Sequence, residues 1–282
     1  MSRPVFRFAP SPNGRLHLGH AFSALLNQMM AEAVNGRLLL RIEDIDRVRC
    51  APEFEAGIYD DLNWLGVSYE TPVRRQSDHF ADYAHALARL QARGLVYPAF
   101  LTRKEVRAQT TADWPKDPDG TPLYPTFERD MEASERQRRV DNGERHAWRL
   151  NMHRALQEVG DILTWEETGD GQKGIVQANP AVWGDVILSR SDAPASYHLA
   201  ATLDDAVQGV THVVRGLDLF SSTSIHRLLQ HLLDLPEPVY HHHRLITAPD
   251  GRKLAKSNGD KGLHQLRAEG WTPGIIRSLL NL

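Results

Sequence analysis

Apolar and polar residues alternate between strand-like and helix-like spacing through the first hundred residues of the 282-residue chain. The apolar run 4–9 predicts a short buried strand, and the run 38–42, apolar on both faces, predicts a central parallel strand. Apolar positions at helical spacing predict helices over 21–35, 53–65 and 77–94, and a glycine closes each of them. Strands that alternate with helices are typical of a parallel α/β sheet.

The pattern changes after Tyr97. Residues 109–130 contain four prolines and Gly120, which predicts loops, and residues 128–154 are dense in Arg and Glu. That charged stretch fits either a solvated helix face or a surface that meets an RNA backbone. Apolar runs then predict strands near 175, over 186–188 and over 210–214, and a helix over 221–235. We therefore expect residues 98 to about 190 to be an insertion between two halves of one α/β domain.

Composition narrows the class of protein. The net charge of −3 argues against a nucleic-acid binder that works by bulk charge, although a local basic face stays possible. The single cysteine, Cys50, excludes an internal disulfide and a cysteine-based zinc site. No apolar run approaches the roughly 18 residues of a membrane span, and the N-terminus lacks the apolar core of a secretion signal. We therefore expect a cytoplasmic protein without a membrane segment.

The stretch "FAPSPNGRLHLGH", residues 8–20, joins the first strand to the first helix. A strand that enters a Pro/Gly turn and then a helix points backbone N–H groups at an anion such as phosphate. His17 and His20 can add side-chain donors, and one donor aimed at transition-state charge is worth roughly 3 kcal/mol. By themselves, two histidines after a turn are more typical of ordinary surface or structural positions.

A second candidate stretch, "KLAKS", covers residues 253–257. Lys253 and Lys256 stand three apart and follow Gly251, so they can neutralise phosphate as a mobile clamp. A solvated lysine loop is the alternative interpretation of this segment alone.

Taken together, these segments resemble one enzyme family. "PSPNGRLHLGH" resembles the HIGH signature of class I aminoacyl-tRNA synthetases, and "KLAKS" resembles their KMSKS loop. "RFAPSPNG", "LLLRIEDID" and "THVVRGLDL" resemble the glutamyl branch of that class, and all these segments occur in the expected order. The resemblance implies a Rossmann-like parallel-sheet core with an inserted acceptor-binding-type α/β subdomain and a short helical C-terminal part.

The resemblance also implies a division of the chain. Residues 1–97 and 191–240 correspond to the two halves of the Rossmann-like catalytic core, and residues 98–190 to the inserted subdomain. Residues 241–282 correspond to the KMSKS-like loop followed by a C-terminal segment that contacts the tRNA stem.

The chemistry implied by this family is amino-acid activation. ATP, with Mg²⁺, lies at the HIGH-like turn, and the amino acid's carboxylate attacks the α-phosphorus and expels pyrophosphate. The implied catalytic residues are His17 and His20, which steady the phosphates, and Lys256, which stabilises charge on the departing group. The corresponding ATP-binding set is His17, Gly19, His20, Lys253, Lys256 and Ser257.

Glutamate recognition needs partners for two carboxylates and an ammonium group. Arg7 and Arg215 are candidates because a guanidinium binds a carboxylate in a fork, while Glu43 can accept from the ammonium and Tyr197 can donate a hydroxyl. Each residue alone also fits a surface ion pair, an exposed strand end or core packing. The resemblance implies that the glutamate site comprises Arg7, Phe8, Ala9, Pro10, Ser11, Glu43, Tyr197 and Arg215.

The length suggests which branch member to expect. Only 25 residues follow Ser257, so we expect no room for the helical anticodon-binding domain of a full glutamyl-tRNA synthetase. Such an outline resembles the glutamyl-Q tRNA(Asp) synthetases, which transfer glutamate to a queuosine hydroxyl in the anticodon loop. The implied partners are L-glutamate, ATP and queuosine-bearing tRNA(Asp), bound by a monomer. A truncated enzyme that charges tRNA(Glu), a non-catalytic RNA-binding paralogue and a small-molecule nucleotidyltransferase are the alternatives.

One departure from the family concerns metal. Many members hold zinc through a Cys-x-Cys that follows a tyrosine, whereas Ala99 and Leu101 stand at those positions here. Tyr124 and Glu128 fall near the places of the other ligands. We therefore expect no zinc, with packing holding the insertion together. The run of histidines at 241–243 is expected to form a strand with solvent-facing side chains.

Overall fold

A computed structural model of the protein describes residues 3–247 and 261–282. Its strands are β1 (Val5–Phe8), β2 (Arg37–Ile42), β3 (Glu70–Arg75), β4 (Val96–Ala99), β5 (Ala147–Leu150), β6 (Thr164–Glu167), β7 (Gly174–Gln177), β8 (Ile187–Arg190), β9 (His212–Gly216) and β10 (Val239–His243). Its α-helices are α1 (Leu18–Ala33), α2 (Pro52–Leu65), α3 (Phe80–Ala92), α4 (Arg103–Gln109), α5 (Ala133–Asp141), α6 (Met152–Val159), α7 (Tyr197–Val207), α8 (Thr223–Leu232), α9 (Leu263–Ala268) and α10 (Pro273–Leu280).

The strands and helices predicted for the first hundred residues are confirmed to within a few positions. β1 and β2 match the predicted strands, and α1 and α2 match the first two predicted helices. The third helix begins later than predicted, because Gln76–His79 form a 3₁₀ turn before α3. β3 was not predicted, since its sequence ETPVRR carries one aliphatic residue besides proline and lies at a sheet edge. No helix in the described ranges combines the length and apolarity needed to cross a membrane.

The predicted parallel α/β sheet is confirmed. Within residues 3–247 and 261–282, the main sheet has seven strands in the order β3-β2-β1-β9-β10-β6-β7, and every pair except β6–β7 is parallel. From β1 the chain first builds outward through β2 and β3, and later returns to place β9 on the other side of β1. Ligands of such sheets bind in the crevice at the carboxyl ends of the strands where this reversal occurs.

The two faces of the main sheet carry different cores. Phe6, Leu38 and Val214 point into one cluster with α1, α2, α9 and α10, while Val5 and Val213 point into another with α3, α6, α7 and α8. Because side chains alternate along a strand, residues two positions after Val5 and Val213 face the second side as well. This alternation of side chains directs the two buried arginines at the ends of β1 and β9 toward α7 and α8.

A separate antiparallel sheet, in the order β4-β5-β8, lies within the predicted insertion 98–190 and its border. β6 and β7 come from the same part of the sequence but join the main sheet. The division into a core and an inserted subdomain stays a prediction. α5 buries no residue, and Arg138 pairs with Glu135 on the same helix, which agrees with a solvated helix face.

Candidate active site

A cavity of about 910 Å³ opens at the carboxyl ends of β1, β2, β9 and β10. This is the crevice that the reversal of strand order creates. Its lining includes every predicted site residue that the structure describes: Arg7, Phe8, Ala9, Pro10, Ser11, His17, Gly19, His20, Glu43, Tyr197 and Arg215. The other predicted ATP-site residues, Lys253, Lys256 and Ser257, lie outside the described residues.

The HLGH turn forms the N-terminal cap of α1. The Nδ1 atom of His17 accepts the backbone N–H of Gly19 at 3.1 Å, and Nδ1 of His20 accepts the backbone N–H of His17 at 3.2 Å. An accepting Nδ1 has no proton, so each neutral ring carries its proton on Nε2. Both rings are therefore in the tautomer that can donate from Nε2 to an anion at the helix N-terminus.

Gly19 fits this turn because a side chain would crowd the first histidine. A Cβ atom at position 19 would lie 3.0 Å from Cε1 of His17 and 3.1 Å from its Nδ1. The two rings lie close together, with centroids 3.9 Å apart. The geometry of the helix cap thus accounts for the histidines and the glycine of the HLGH segment and for their spacing.

Described residues on either side of 248–260 in the sequence lie close to this cavity. Before this range, Leu245 and Ile246 line the cavity. After it, Gly262 forms a β-bridge with His17, and the N–H of Leu263 donates to the carbonyl of Leu16 at 2.8 Å. Leu245 and Ile246 thus line the cavity, and Gly262 lies beside the HLGH turn.

Arg215, at the end of β9, is buried, and protein groups surround its guanidinium. Nε donates to Nε2 of His242 at 3.1 Å, and Nη2 donates to Oγ1 of Thr223 at 2.7 Å and to the carbonyl of Leu219 at 3.2 Å. Nη1 lies 3.0 Å from Nδ1 of His226 and 3.3 Å from the hydroxyl of Tyr197. All of these partners are uncharged oxygen or nitrogen acceptors.

The positive charge of Arg215 thus has no direct counter-charge: among residues 3–247 and 261–282, no carboxylate forms an ion pair with it. Burial, and then the neighbouring Arg215, lowers the pKa of His226 well below its usual value and that of His198 to about 4. Both imidazoles are therefore neutral at pH 7. A buried cation among neutral groups is costly unless an anion joins it, so this position suits a carboxylate of the ligand.

Arg7, at the end of β1, is placed differently. Its Nε lies 3.0 Å from Oδ1 of Asp205 on α7, and the same oxygen accepts from Nη1 of Arg41 at 2.7 Å. Burial alone would raise the pKa of Asp205, but the two guanidinium groups hold it below its usual value. Arg7 lines the cavity with its charge already balanced, whereas none of the described carboxylates pairs with Arg215.

Glu43 completes this network on the cavity side. Its Oε1 accepts from Nη2 of Arg41 at 3.0 Å, and its side chain is 12% exposed. Burial raises the pKa of Glu43, and Arg41 opposes that shift. The carboxylate is held at the mouth of the network, where an incoming ammonium group would favour its charged form.

Arg41 and Asp205 are site residues that the sequence interpretation missed. Arg41 interrupts the otherwise apolar strand LLLRI, and Asp205 follows Asp204 on a largely buried helix. A charge inside a buried strand or helix needs a partner, so these positions did carry a signal. The sequence alone could not pair them, because 164 positions separate the two residues.

Because Asp205 neutralises two buried arginines, we expect Asp205→Asn to lower the free energy of unfolding by about 3–5 kcal/mol. The depressed pKa of Asp205 adds stability above the unfolded value of about 3.9, and this contribution is lost as the pH falls below it. Denaturant unfolding at pH 7 measures the effect. Asp234→Asn, which removes the exposed partner of Arg89, is the control and should cost less than about 1 kcal/mol. Similar losses in both variants would contradict this account of Asp205.

A second cavity, of about 600 Å³, adjoins the first. The two cavities share the lining residues Ser11, Glu43, Arg49 and Tyr197. The second extends from the end of the main sheet toward the antiparallel sheet, and its far wall includes Arg149, Trp183, Asp185 and Arg190. A large acceptor group there could reach the ligand in the first cavity.

The residues at the family's zinc positions do not fit a zinc site. Ala99 and Tyr124 pack with Tyr97 and Val106 in a small apolar cluster. The Tyr124 hydroxyl donates to the buried carboxylate of Glu128, which also accepts the backbone N–H of Phe100 at 2.9 Å. Within the described part of the chain, no group of three or more His, Cys, Asp or Glu is placed to hold a metal ion. Packing and a carboxylate–phenol hydrogen bond join these segments here.

The histidine run at 241–243 is in a strand, as predicted, but the prediction of solvent-facing side chains is wrong for two of its members. His242 is 0% exposed and His243 is 4% exposed. His242 faces Arg215 across the β9–β10 register, and the ring of His243 packs edge-on against Phe22 at 5.0 Å. β10 is an interior strand with packing on both faces, so His242 on one face and His243 on the other are both buried.

Comparisons with known proteins agree with this architecture. The family model described as "tRNA synthetases class I (E and Q), catalytic domain" matches residues 5–282. The glutamyl-Q tRNA(Asp) synthetase of Rhodobacter capsulatus is 48% identical over 285 residues, which cover 99% of this chain and all of that protein. Glutamate--tRNA ligase 2 of a Methylobacterium species is 37% identical over 98% of this chain but only 59% of its own length.

A solved structure shows the same fold. The crystal structure of a glutamate tRNA ligase from Elizabethkingia meningosepticum, in complex with its amino acid, superposes with a TM-score of 0.72 at 26% identity. The match covers 92% of this chain and 53% of the solved chain, so this chain spans about half the length of that enzyme.

Proposed function

This chain belongs to the catalytic-domain family of the class I tRNA synthetases for glutamate and glutamine, and from that premise we propose that it activates L-glutamate with ATP and transfers it to the queuosine base of tRNA(Asp). The relative that matches over its full length carries the name of this activity. Glutamate recognition is supported by the "RFAPSPNG" and "THVVRGLDL" segments, which line one cavity through Arg7 and Arg215.

The observation that carries the proposal is the position of Arg215. It is a buried cation with neutral partners, and it lines the cavity that the HLGH turn also lines. One carboxylate of glutamate takes the place of the 3.3 Å contact between Nη1 and the Tyr197 hydroxyl, which then donates to the same carboxylate. Glu43 accepts from the ammonium group, and Arg7 to Ser11 form the adjoining wall.

Activation then follows from positioning and charge stabilisation. An oxygen of the α-carboxylate attacks the α-phosphorus of MgATP, a new P–O bond forms, and the bond to the leaving pyrophosphate breaks. His17 and His20 donate from Nε2 to phosphate oxygens at the N-terminus of α1. Lys253, Lys256 and Ser257 bind the phosphates from the segment that precedes Gly262.

Transfer uses the adjoining cavity. A hydroxyl of the queuosine cyclopentenediol attacks the acyl carbonyl of the glutamyl-adenylate, so an ester forms and AMP leaves. We assign the acceptor nucleoside to the 600 Å³ cavity because it adjoins the glutamate cavity and shares Ser11 and Tyr197 with it. In this proposal residues 98–190 act as the acceptor-binding insertion and residues 261–282 as a stem-contact segment. We also propose that the protein acts as a monomer in the cytoplasm, where its tRNA substrate occurs.

The proposal predicts exchange of labelled pyrophosphate into ATP when glutamate is present and tRNA is absent. Labelled glutamate should then become attached to tRNA(Asp) that contains queuosine, and neither to tRNA(Asp) that lacks it nor to tRNA(Glu). Queuosine-free tRNA(Asp) is the matched control because it differs only in the acceptor base. Charging of tRNA(Glu) would instead favour a trimmed glutamyl-tRNA synthetase. Absence of both exchange and transfer would favour an RNA-binding paralogue.

A further inference from the structure

We propose that Glu167 and His242 are positioning residues of the glutamate site: the carboxylate fixes the tautomer of the imidazole, and the imidazole fixes the guanidinium of Arg215. This proposal rests on the proposed function, in which Arg215 binds a glutamate carboxylate. The three side chains come from three neighbouring parallel strands, β6, β10 and β9. His242 stands directly opposite Arg215 in the β9–β10 register.

The first link joins Glu167 to His242. Oε2 of Glu167 lies 2.6 Å from Nδ1 of His242, and Trp165 Nε1 donates to the same oxygen at 3.2 Å. Oε1 accepts the backbone N–H groups of His242 at 2.9 Å and of Gly169 at 2.8 Å. Every neighbour of this carboxylate is thus a donor, which requires the proton of the imidazole to be on Nδ1.

The second link joins His242 to Arg215. With the proton on Nδ1, Nε2 has a lone pair, and it accepts from Nε of Arg215 at 3.1 Å. The opposite tautomer would place an N–H against the N–H of the guanidinium. Thr223 supports the same arrangement, since its Oγ1 accepts from Nη2 of Arg215 at 2.7 Å and lies 3.2 Å from Nε2.

The backbone brings these groups together through Gly169. A Cβ atom at that position would lie 2.2 Å from the carbonyl oxygen of His242 and 2.4 Å from its nitrogen. Only glycine permits this approach of the turn after β6 to β10. The contact lets the Glu167 carboxylate bond both the backbone and the ring of His242.

The charge states agree with this chain of donors and acceptors. Burial opposes ionisation of Glu167, but the hydrogen bonds from His242 lower its pKa to about 2. Burial lowers the pKa of His242 to about 4, although Glu167 acts in the opposite direction. At pH 7 the pair is therefore a carboxylate and a neutral imidazole, and Arg215 keeps the positive charge that the ligand must meet.

Glu167→Gln tests this series of hydrogen bonds because it replaces an acceptor oxygen by a donor NH₂ group with little change in side-chain shape. In this variant the two backbone N–H groups donate to the amide oxygen, so the amide NH₂ faces Nδ1 of His242. Nδ1 must then accept a hydrogen bond, so the ring proton moves to Nε2. We expect the KM for glutamate in pyrophosphate exchange to rise roughly 10–100-fold, by analogy with the loss of residues that orient the ligands of a metal ion. The KM for ATP should change less than about twofold.

Two matched variants separate positioning from folding. Glu166→Gln, at the exposed neighbour on the opposite face of β6, should leave both KM values unchanged. His242→Gln removes the ring whose tautomer Glu167 sets, so the effect of Glu167 on the glutamate KM should disappear in this variant. In that background Glu167→Gln should add less than about twofold.

¹⁵N NMR of labelled protein reads the tautomer directly, with His242→Gln identifying the resonance. The proton should lie on Nδ1 in the native protein and on Nε2 in Glu167→Gln. A native Nε2–H tautomer would overturn the proposal even if Glu167→Gln does not fold. A folded Glu167→Gln with an unchanged glutamate KM would also overturn it, provided that Arg215→Ala raises that KM. An unchanged KM in Arg215→Ala would instead refute the proposed glutamate site itself.

Discussion

Arg215→Ala is expected to raise the KM for glutamate roughly 100-fold, because removing one partner of a buried charged hydrogen-bonded pair costs about 3 kcal/mol. The KM for ATP should change less than about threefold, since the phosphates bind at the HLGH turn. The effect is large because no carboxylate of the described chain neutralises this cation. The alanine variant also leaves His226, His242 and Thr223 without their common donor. Pyrophosphate exchange as a function of glutamate concentration measures the change.

Two controls make this prediction specific. Arg215→Lys keeps the charge but cannot match the fork of the guanidinium, so its KM should lie between those of the native and alanine enzymes. Arg89→Ala removes an exposed arginine that pairs with Asp234, and it should leave glutamate binding unchanged. A rise below about twofold in Arg215→Ala, roughly 0.4 kcal/mol, would remove this residue from the substrate site.

Much of the main sheet was predictable because the relevant signals are local. Apolar spacing located β1, α1, β2 and α2, and glycines marked the helix ends. β3 and β6 contain many polar residues, so spacing alone did not separate them from loops, whereas β7 corresponds to the strand predicted near 175. Which strands join the main sheet depends on long-range pairing, and β6 reaches β10 across more than 70 positions.

The residues of the candidate site also differ in whether their contacts are local in the sequence. The HLGH turn could be predicted from the sequence because its contacts lie within four positions, from His17 to His20. Arg215 could be predicted as a site residue from its motif. The absence of a carboxylate partner among the described residues could not be predicted, because neighbours of Arg215 come from α8 and β10. His242 was predicted to face solvent because its buried neighbours come from other strands. Residues that position a site through the fold are thus harder to identify than those that form a local turn.

The second large effect is expected at Lys256. Its sequence position is six before Gly262, which bridges to His17. In the proposed mechanism this ammonium group stabilises the negative charge that develops as pyrophosphate leaves, an interaction that is stronger in the transition state than in bound ATP. We expect Lys256→Ala to lower the maximal rate of pyrophosphate exchange roughly 100- to 1,000-fold. The KM for glutamate should stay within about threefold, because the proposed mechanism assigns Lys256 to the nucleotide and not to glutamate.

Lys261→Ala provides the matched control for charge in this part of the chain. Nζ of Lys261 lies 2.6 Å from Oε1 of Glu269, and its side chain is 60% exposed. Such a solvated pair contributes little, so exchange should remain within about twofold of the native rate. An equal loss in both variants would indicate that general charge around the cavity attracts ATP, with no specific donor at the leaving group. A Lys256→Ala enzyme with a native maximal rate but a raised KM for ATP would assign this lysine to ground-state binding.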